Sequence, residues 1–100
     1  MDRENLEKIF GQVLRELRQE QGYSQEQLGF RSSYHRTYIS LLERGLKSPT
    51  LNTLFDLAQA LHSSPLEIIR RVEIRTQSAT SVSSEGKATP DENSAGEAPY

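Results

Sequence analysis

Apolar residues in the first 75 positions of the chain recur with the spacing of an α-helix. In the clearest segment, one face of a helix with 3.6 residues per turn carries Ile9, Phe10, Val13, Leu14 and Leu17. Charged residues fill the opposite face of that segment. No segment alternates between apolar and polar residues with a period of two over any length, so we predict no β-sheet. The chain is therefore restricted to all-α folds.

Capping residues and turn formers divide this part of the chain into five short helices. Ser24 begins a capping box with Gln27, and Ser64 begins a second one with Pro65 at the first helical position. Gly22 follows the end of the first helix, where a positive φ is common. The predicted helices span about 6–21, 25–31, 36–44, 51–61 and 65–74. The short loops between them indicate a compact five-helix domain.

The composition changes sharply after residue 75. Of the 25 residues in 76–100, 20 are Ser, Thr, Ala, Gly, Pro, Asp or Glu, and a segment so poor in apolar groups cannot offset its chain entropy. We predict one helical domain over 6–75 and a disordered acidic tail over 76–100. The tail carries a charge of −3, whereas residues 8–47 carry +3. A local basic surface is thus expected on a chain whose net charge is −2.

Several classes of function are disfavoured by what the sequence lacks. It contains no cysteine and two histidines, which argues against disulfides, thiolate zinc sites and a histidine-rich metal site. We find no Gly-rich phosphate loop, metal-ligand cluster or Ser–His–Asp set, so neither an enzyme nor a bound cofactor is expected. No apolar run suits a secretory signal or a membrane span, and we expect a cytoplasmic protein that does not associate with membranes.

The third predicted helix carries the most informative surface. Ile39 and Leu42 face the core, whereas the opposite face carries Arg36, Thr37 and Leu41. An α-helix fits the major groove of duplex DNA, where arginine binds guanine through two hydrogen bonds and threonine or leucine contacts a thymine methyl group. This pattern predicts a helix that reads base edges.

Polar groups around this helix are suited to contact phosphates. Gln25 begins the second helix, where a side-chain amide and free backbone N–H groups can bind an anion. Arg44, Lys47 and Ser48 follow the third helix and are expected at flanking phosphates. Together these residues predict double-stranded DNA as the partner.

Three segments, in this order and at this spacing, resemble the phage-repressor type of helix-turn-helix protein, the xenobiotic-response-element family of regulators. They are LRELRQEQGYSQEQLG (14–29), HRTYISLLERG (35–45) and SPTLNTLFDLAQAL (48–61), about half of the chain. The run RTYIS followed by ERG is also similar to controller proteins of restriction–modification systems. The resemblance implies a lambda-repressor-like five-helix domain that binds a pseudo-palindromic operator as a two-fold homodimer and regulates transcription.

The resemblance also implies roles for individual residues. Those that match the DNA-contacting positions of the family are Gln25, Arg36, Thr37, Tyr38, Ser40 and Leu41. Of these, Gln25 matches a phosphate contact, and the side chains of Tyr38 and Ser40 match contacts to the DNA backbone or to neighbouring bases. Arg18 and Glu43 match an ion pair that ties the first helix to the end of the third. Glu43 is accordingly expected to be structural.

Three positions near the turn depart from the family pattern. Gly29 stands where alanine is usual. Ser33 replaces a glycine and would have to adopt a positive φ, which costs a non-glycine residue roughly 1 kcal/mol. His35 replaces the serine or threonine that usually caps the recognition helix. Three interpretations of His35 stay open, namely a phosphate contact, a pH-sensitive switch and a solvated turn residue.

The fifth predicted helix carries more apolar surface than a single core contact needs. Leu66 and Ile69 form one face, and Ile68 and Val72 form another. We predict that Ile68 and Val72 form the seam of a homodimer, the alternative being a better-buried helix in a monomer. A second functional hypothesis is a protein-interaction module on the same scaffold, such as an antitoxin or a regulator partner with weak DNA binding.

Overall fold

The computed structural model describes the backbone of residues 3–80 and the side chains of residues 6–77. Within this range the chain forms five helices and no strand, which confirms the predicted all-α class. The helices are α1 (Arg3–Glu20), α2 (Gln25–Ser32), α3 (Arg36–Glu43), α4 (Leu51–Ala60) and α5 (Pro65–Thr80). Among these described helices, none combines the length and the apolar character that crossing a membrane requires.

Side-chain caps start the helices where the sequence predicts them. The Ser24 hydroxyl accepts a hydrogen bond from the backbone N–H of Gln27, whose side chain in turn accepts one from the backbone N–H of Ser24, which completes the capping box of α2. Thr50 caps α4 by accepting from the backbone N–H of Thr53 at 3.1 Å. Ser64 does the same for α5. These bonds satisfy N–H groups that would otherwise lack intrahelical partners.

One apolar core lies between the helices. The largest side chains that are fully buried in it are Val13, Leu14, Leu28, Ile39, Leu42, Leu57, Leu61 and Ile68. They come from all five helices, so every helix contributes to the same core. Tyr23, Tyr34 and Tyr38 pack at the margin of this core, each partly buried.

The structure corrects the prediction for the dimer seam. Ile68 is fully buried and Val72 is only 6% exposed, because both pack into the core of their own chain. Neither side chain is therefore available to a partner. The exposed apolar residues of α5 are instead Leu66, Ile69 and Ile74.

The last helix also extends further than predicted. It continues to Thr80, so the predicted tail is wrong for residues 76–80, which are helical. Thr76 is buried, and its hydroxyl donates a hydrogen bond to the Glu73 carbonyl oxygen of the same helix. The remainder of the predicted tail, 81–100, lies outside the described residues.

Close backbone contact fixes α1 against the end of α3. A Cβ atom built on Gly11 would lie 2.6 Å from the Leu42 carbonyl oxygen and still closer to that of Glu43. Only a residue without a side chain permits this approach. α1 therefore supports α3 directly through its backbone.

Ion pairs reinforce the contact between α1 and α5. Arg71 donates to the Glu20 carboxylate at 2.9 Å and to the carboxylate of Glu67, one turn earlier on its own helix. Arg75 pairs with Glu16. The guanidinium of Arg75 holds the pKa of the Glu16 carboxyl below its usual value. The arginines of α5 are thus committed to neighbouring acids rather than to an external partner.

Candidate nucleic-acid interface

A tight turn joins α2 to α3. Ser33 lies in the left-handed region with φ 66°, as the sequence predicts, and its backbone N–H bonds to carbonyl oxygens of the last turn of α2. The backbone N–H of Tyr34 then donates to the Gly29 carbonyl oxygen at 2.8 Å. A Cβ on Gly29 would meet the Tyr34 carbonyl oxygen at 2.6 Å. Gly29 thus allows the turn to fold back closely on α2.

His35 caps the N-terminus of α3. Its Nδ1 accepts a hydrogen bond from the backbone N–H of Thr37 at 3.0 Å, the contact that a serine or threonine would make in its place. An accepting Nδ1 carries no proton, so the neutral ring bears its proton on Nε2. The side chain is exposed, which leaves Nε2–H as a donor directed to solvent or to a bound anion.

The exposed face of α3 opens into a shallow cleft at the start of α2. The cleft has a volume of about 380 Å³ and is lined by Gln25, Arg36, Thr37 and Ser40. Arg36 and Thr37 are exposed in the first turn of α3, while the core side chains Ile39 and Leu42 point the other way. Four residues predicted to contact DNA are therefore brought together at one opening.

The positive charge at this surface is not neutralised within the described part of the chain. Arg36, Arg44 and Lys47 are exposed, and none of them takes part in the described ion pairs. The paired arginines are Arg18, Arg70, Arg71 and Arg75. Free cations of this kind favour a phosphate-bearing ligand.

A buried carboxylate connects three elements behind the cleft. Glu43 accepts from Arg18 Nε at 2.6 Å and from Arg18 Nη2 at 3.1 Å, so the predicted ion pair is present. The same carboxylate accepts from Gln25 Nε2 at 3.0 Å. Arg18 Nη1 also donates to the Tyr23 carbonyl oxygen at 2.7 Å. Glu43 thus fixes the orientation of the Gln25 amide and leaves its second N–H available.

Other predicted site residues lie away from the cleft. Leu41 is half-buried on α3, and the hydroxyl of Ser48 donates to the Glu7 carboxylate of α1. The Tyr38 ring is turned towards α4, where its hydroxyl is 3.3 Å from Thr53 Oγ1. The hydroxyl of Tyr38 is therefore occupied inside the protein.

Sequence reasoning missed Thr53 and Asp56, which lie on α4 beside the turn. Tyr34 donates to Asp56 Oδ2 at 2.7 Å and lies 3.3 Å from Thr53 Oγ1. The Thr53 hydroxyl acts to lower the pKa of Tyr34, but the hydrogen bond and charge of Asp56, together with desolvation, outweigh it and raise that pKa. One signal for Thr53 was present, since a polar residue on the core face of a helix requires a hydrogen-bond partner.

Comparisons with known proteins agree with this geometry. The family profile described as helix-turn-helix matches residues 14–68. The uncharacterized HTH-type transcriptional regulator y4dJ of Sinorhizobium fredii is 42% identical over 65 residues, which cover 65% of this chain and 84% of that protein.

Two solved structures of restriction–modification controller proteins are also similar. C.AhdI from Aeromonas hydrophila is 41% identical with a TM-score of 0.66, over 68% of this chain and 99% of that one. The C.Esp1396I tetramer in complex with its natural 35-base-pair operator is 29% identical with a TM-score of 0.64, over 69% and 91% of the two chains. This chain therefore belongs to the helix-turn-helix family, as the three segments of its sequence predict.

Proposed function

We propose that this protein is a sequence-specific regulator of transcription that binds double-stranded DNA with α3 in the major groove. The observation that carries the proposal is the cleft lined by Gln25, Arg36, Thr37 and Ser40, where Arg36 is exposed and forms no ion pair with the described side chains. Operator binding by the related controller C.Esp1396I supports the same conclusion.

Each group at this surface has a chemical role in the proposal. Arg36 binds the O6 and N7 acceptors of a guanine, and the methyl group of Thr37 contacts a thymine. The free N–H of the Gln25 amide and the backbone N–H groups at the start of α2 bind a phosphate. His35 Nε2–H and the cations of Arg44 and Lys47 are suited to further phosphates.

The half-buried and internally bonded residues take lesser roles. Leu41 supplies apolar contact at the edge of the groove. Tyr38 contributes through its ring and Ser40 through its hydroxyl at the cleft. Ser48 reaches a phosphate only after it releases Glu7, because its hydroxyl donates to that carboxylate.

We further propose that two copies bind together through the outer faces of α4 and α5. Large apolar side chains are exposed there, with Leu51 at 72%, Phe55 at 56%, Leu66 at 77% and Ile69 at 46%. Exposed apolar surface of this kind is typical of an association site. A two-fold pair places two α3 helices about one turn of DNA apart, roughly 34 Å, which suits a pseudo-palindromic operator.

Catalysis is not part of the proposal. The side chains described, residues 6–77, include no group of three or more His, Asp or Glu positioned to hold a metal ion. The cations of Arg36, Arg44 and Lys47 are instead exposed to solvent. Since its relatives are DNA-binding regulators of bacteria, we place this protein in the bacterial cytoplasm.

The experiment that tests the proposal is selection of bound duplexes from a random DNA pool, followed by affinity measurements. Arg36→Ala should weaken binding to the selected duplex by about 1–3 kcal/mol and relax base preference at one position. Arg75→Ala, the matched control, removes an arginine that is paired with Glu16 and should change affinity by less than about twofold. An unselective wild-type protein, or equal effects of the two variants, would refute the proposal.

The dimer is tested separately by sedimentation at micromolar concentration. Leu66→Glu should convert the dimer to a monomer and weaken binding to the palindromic duplex, because it places a charge in the proposed seam. Gln12→Glu adds the same charge to an exposed position of α1 and should leave the dimer intact. A wild-type protein that sediments as a monomer on and off DNA would exclude the seam.

A further inference from the structure

We propose that Thr53 and Asp56 of α4 are positioning residues for base recognition. Through Tyr34 in the turn and Tyr38 in α3, they set the orientation of the first two turns of the recognition helix. The inference rests on the proposed function, since it assigns a role to residues that do not line the DNA-facing cleft.

Thr53 is the centre of a cluster of four hydroxyl groups. Its Oγ1 lies 3.3 Å from the hydroxyls of Tyr34 and Tyr38 and 2.9 Å from Thr50 Oγ1. Tyr34 continues the chain to Asp56 at 2.7 Å. The cluster thus connects the turn, α3 and α4 by side chains alone.

The hydrogen bonds of this cluster end at the Asp56 carboxylate. Tyr34 carries a single hydroxyl proton, which the short bond to the charged Asp56 carboxylate takes. Thr53 Oγ1 is a second, weaker acceptor for the Tyr34 hydroxyl at 3.3 Å, and the Thr53 hydroxyl shares hydrogen bonds with those of Tyr38 and Thr50. Every hydroxyl has a partner in this arrangement, and the Asp56 carboxylate ends the series. Loss of either end leaves donors or acceptors without partners.

The location of the cluster connects it to recognition. Tyr38 follows Thr37 directly, and its ring lies 5.2 Å from the Tyr34 ring at a tilt of 41°. Rotation of Tyr38 away from Thr53 would shift the adjacent side chains of α3. Thr53 itself is only 4% exposed, and valine, which has a similar shape, would fill the same space. The presence of a hydroxyl at this buried position is explained by its hydrogen bonds and not by packing.

The test compares affinity for the duplex that the wild-type protein selects from a random pool with affinity for an unrelated duplex of equal length. Thr53→Val should lower the ratio of these affinities about fivefold, the effect of one net hydrogen bond. Thr53→Ser keeps the hydroxyl and should restore the ratio to within about twofold of wild type. Binding to the unrelated duplex should stay unchanged, because no phosphate contact is altered.

A double-mutant cycle separates positioning from general stability. Tyr38→Phe and Thr53→Val remove the two ends of one hydrogen bond, so their combined effect on the ratio should equal that of the larger single change. Asp56→Ala should lower the ratio in the same direction, while Glu73→Ala, which removes an exposed carboxylate from α5, should not. Circular dichroism shows whether Thr53→Val folds. Because Asp56 is exposed, Asp56→Ala tests the inference even if Thr53→Val does not fold.

The outcomes distinguish this inference from the proposed function. If the wild-type protein is selective and folded Thr53→Val leaves the ratio of affinities unchanged, the positioning role alone is overturned. If Thr53→Val does not fold, an unchanged ratio for Asp56→Ala has the same consequence. Additive losses in the cycle do the same. A wild-type protein that selects no sequence overturns both.

Discussion

Replacement of Glu43 by glutamine tests how the three elements behind the cleft are held. The Glu43 and Arg18 side chains are 3% and 11% exposed, so the pair is almost completely removed from water. Loss of one partner from a buried pair costs about 3–5 kcal/mol, because the other charge stays buried without compensation. Glutamine still offers one acceptor oxygen, and Arg18 keeps its bond to the Tyr23 carbonyl oxygen. We therefore expect a loss of about 3 kcal/mol, at the low end of that range.

Urea unfolding followed by circular dichroism measures this loss. In thermal unfolding followed by the same signal, the melting temperature should fall by roughly 12–24 °C, since a domain of this size loses about 4–8 °C for each kcal/mol. Glu67→Gln is the matched control, because Glu67 pairs with Arg70 and Arg71 on the exposed side of α5 and should matter far less. If the two variants unfold at the same urea concentration, Glu43 does not hold these elements together and the reasoning is wrong.

Four further predictions address the scaffold and the phosphate contacts. Gly11→Ala should lower the free energy of unfolding by about 1–3 kcal/mol, since its Cβ would overlap the carbonyl oxygens at the end of α3; equal stability in urea would show that α1 shifts freely. Ser33→Gly should raise that free energy, by at most about 1 kcal/mol, because it relieves a left-handed residue; a decrease would contradict this. Lys47→Gln should weaken binding to all duplexes alike and flatten the plot of log affinity against log salt by about one unit; an unchanged slope would place Lys47 away from phosphate. Because the pKa of Glu16 is lowered in the folded protein, this carboxylate stabilises the fold at pH values above its ordinary pKa of 4.5, and that stability is lost as the pH falls through the lower folded pKa. Arg75→Gln should therefore reduce the difference in unfolding free energy between pH 7 and pH 3. An unchanged difference would argue against the Arg75–Glu16 pair.

Local patterns made much of this fold predictable. The capping box of Ser24 and the cap of Ser64 depend on side chains that bond within three residues, so sequence spacing is sufficient to find them. The positive φ of Ser33 and the Arg18–Glu43 pair were available from the resemblance, since each occupies a position with a defined role in the family. Arg36, Thr37 and Ser40 share one face of α3 because helical periodicity places them there, whereas Gln25 reaches the same cleft from the start of α2.

Features that depend on distant contacts were not predictable. Both faces of α5 are apolar, and only its packing against α1 and α4 decides that Ile68 and Val72 are buried while Leu66 and Ile69 are exposed. The extension of α5 past residue 75 has a similar origin, since composition alone did not reveal that Thr76 is buried. The hydroxyl of Tyr38 bonds to that of Thr53, fifteen residues away in the sequence, so local pattern could not reveal the contact.

The bare backbone at Gly11 has a consequence for how this protein meets its ligand. Because α1 packs against the last carbonyl groups of α3, α3 is already formed in the absence of DNA. A helix that is already formed does not pay the entropy cost of a segment that folds on binding. The heat capacity change of DNA binding then reflects only the apolar area buried at the protein–DNA interface. The energy needed to bend the DNA or change its groove width then contributes to what distinguishes one binding site from another.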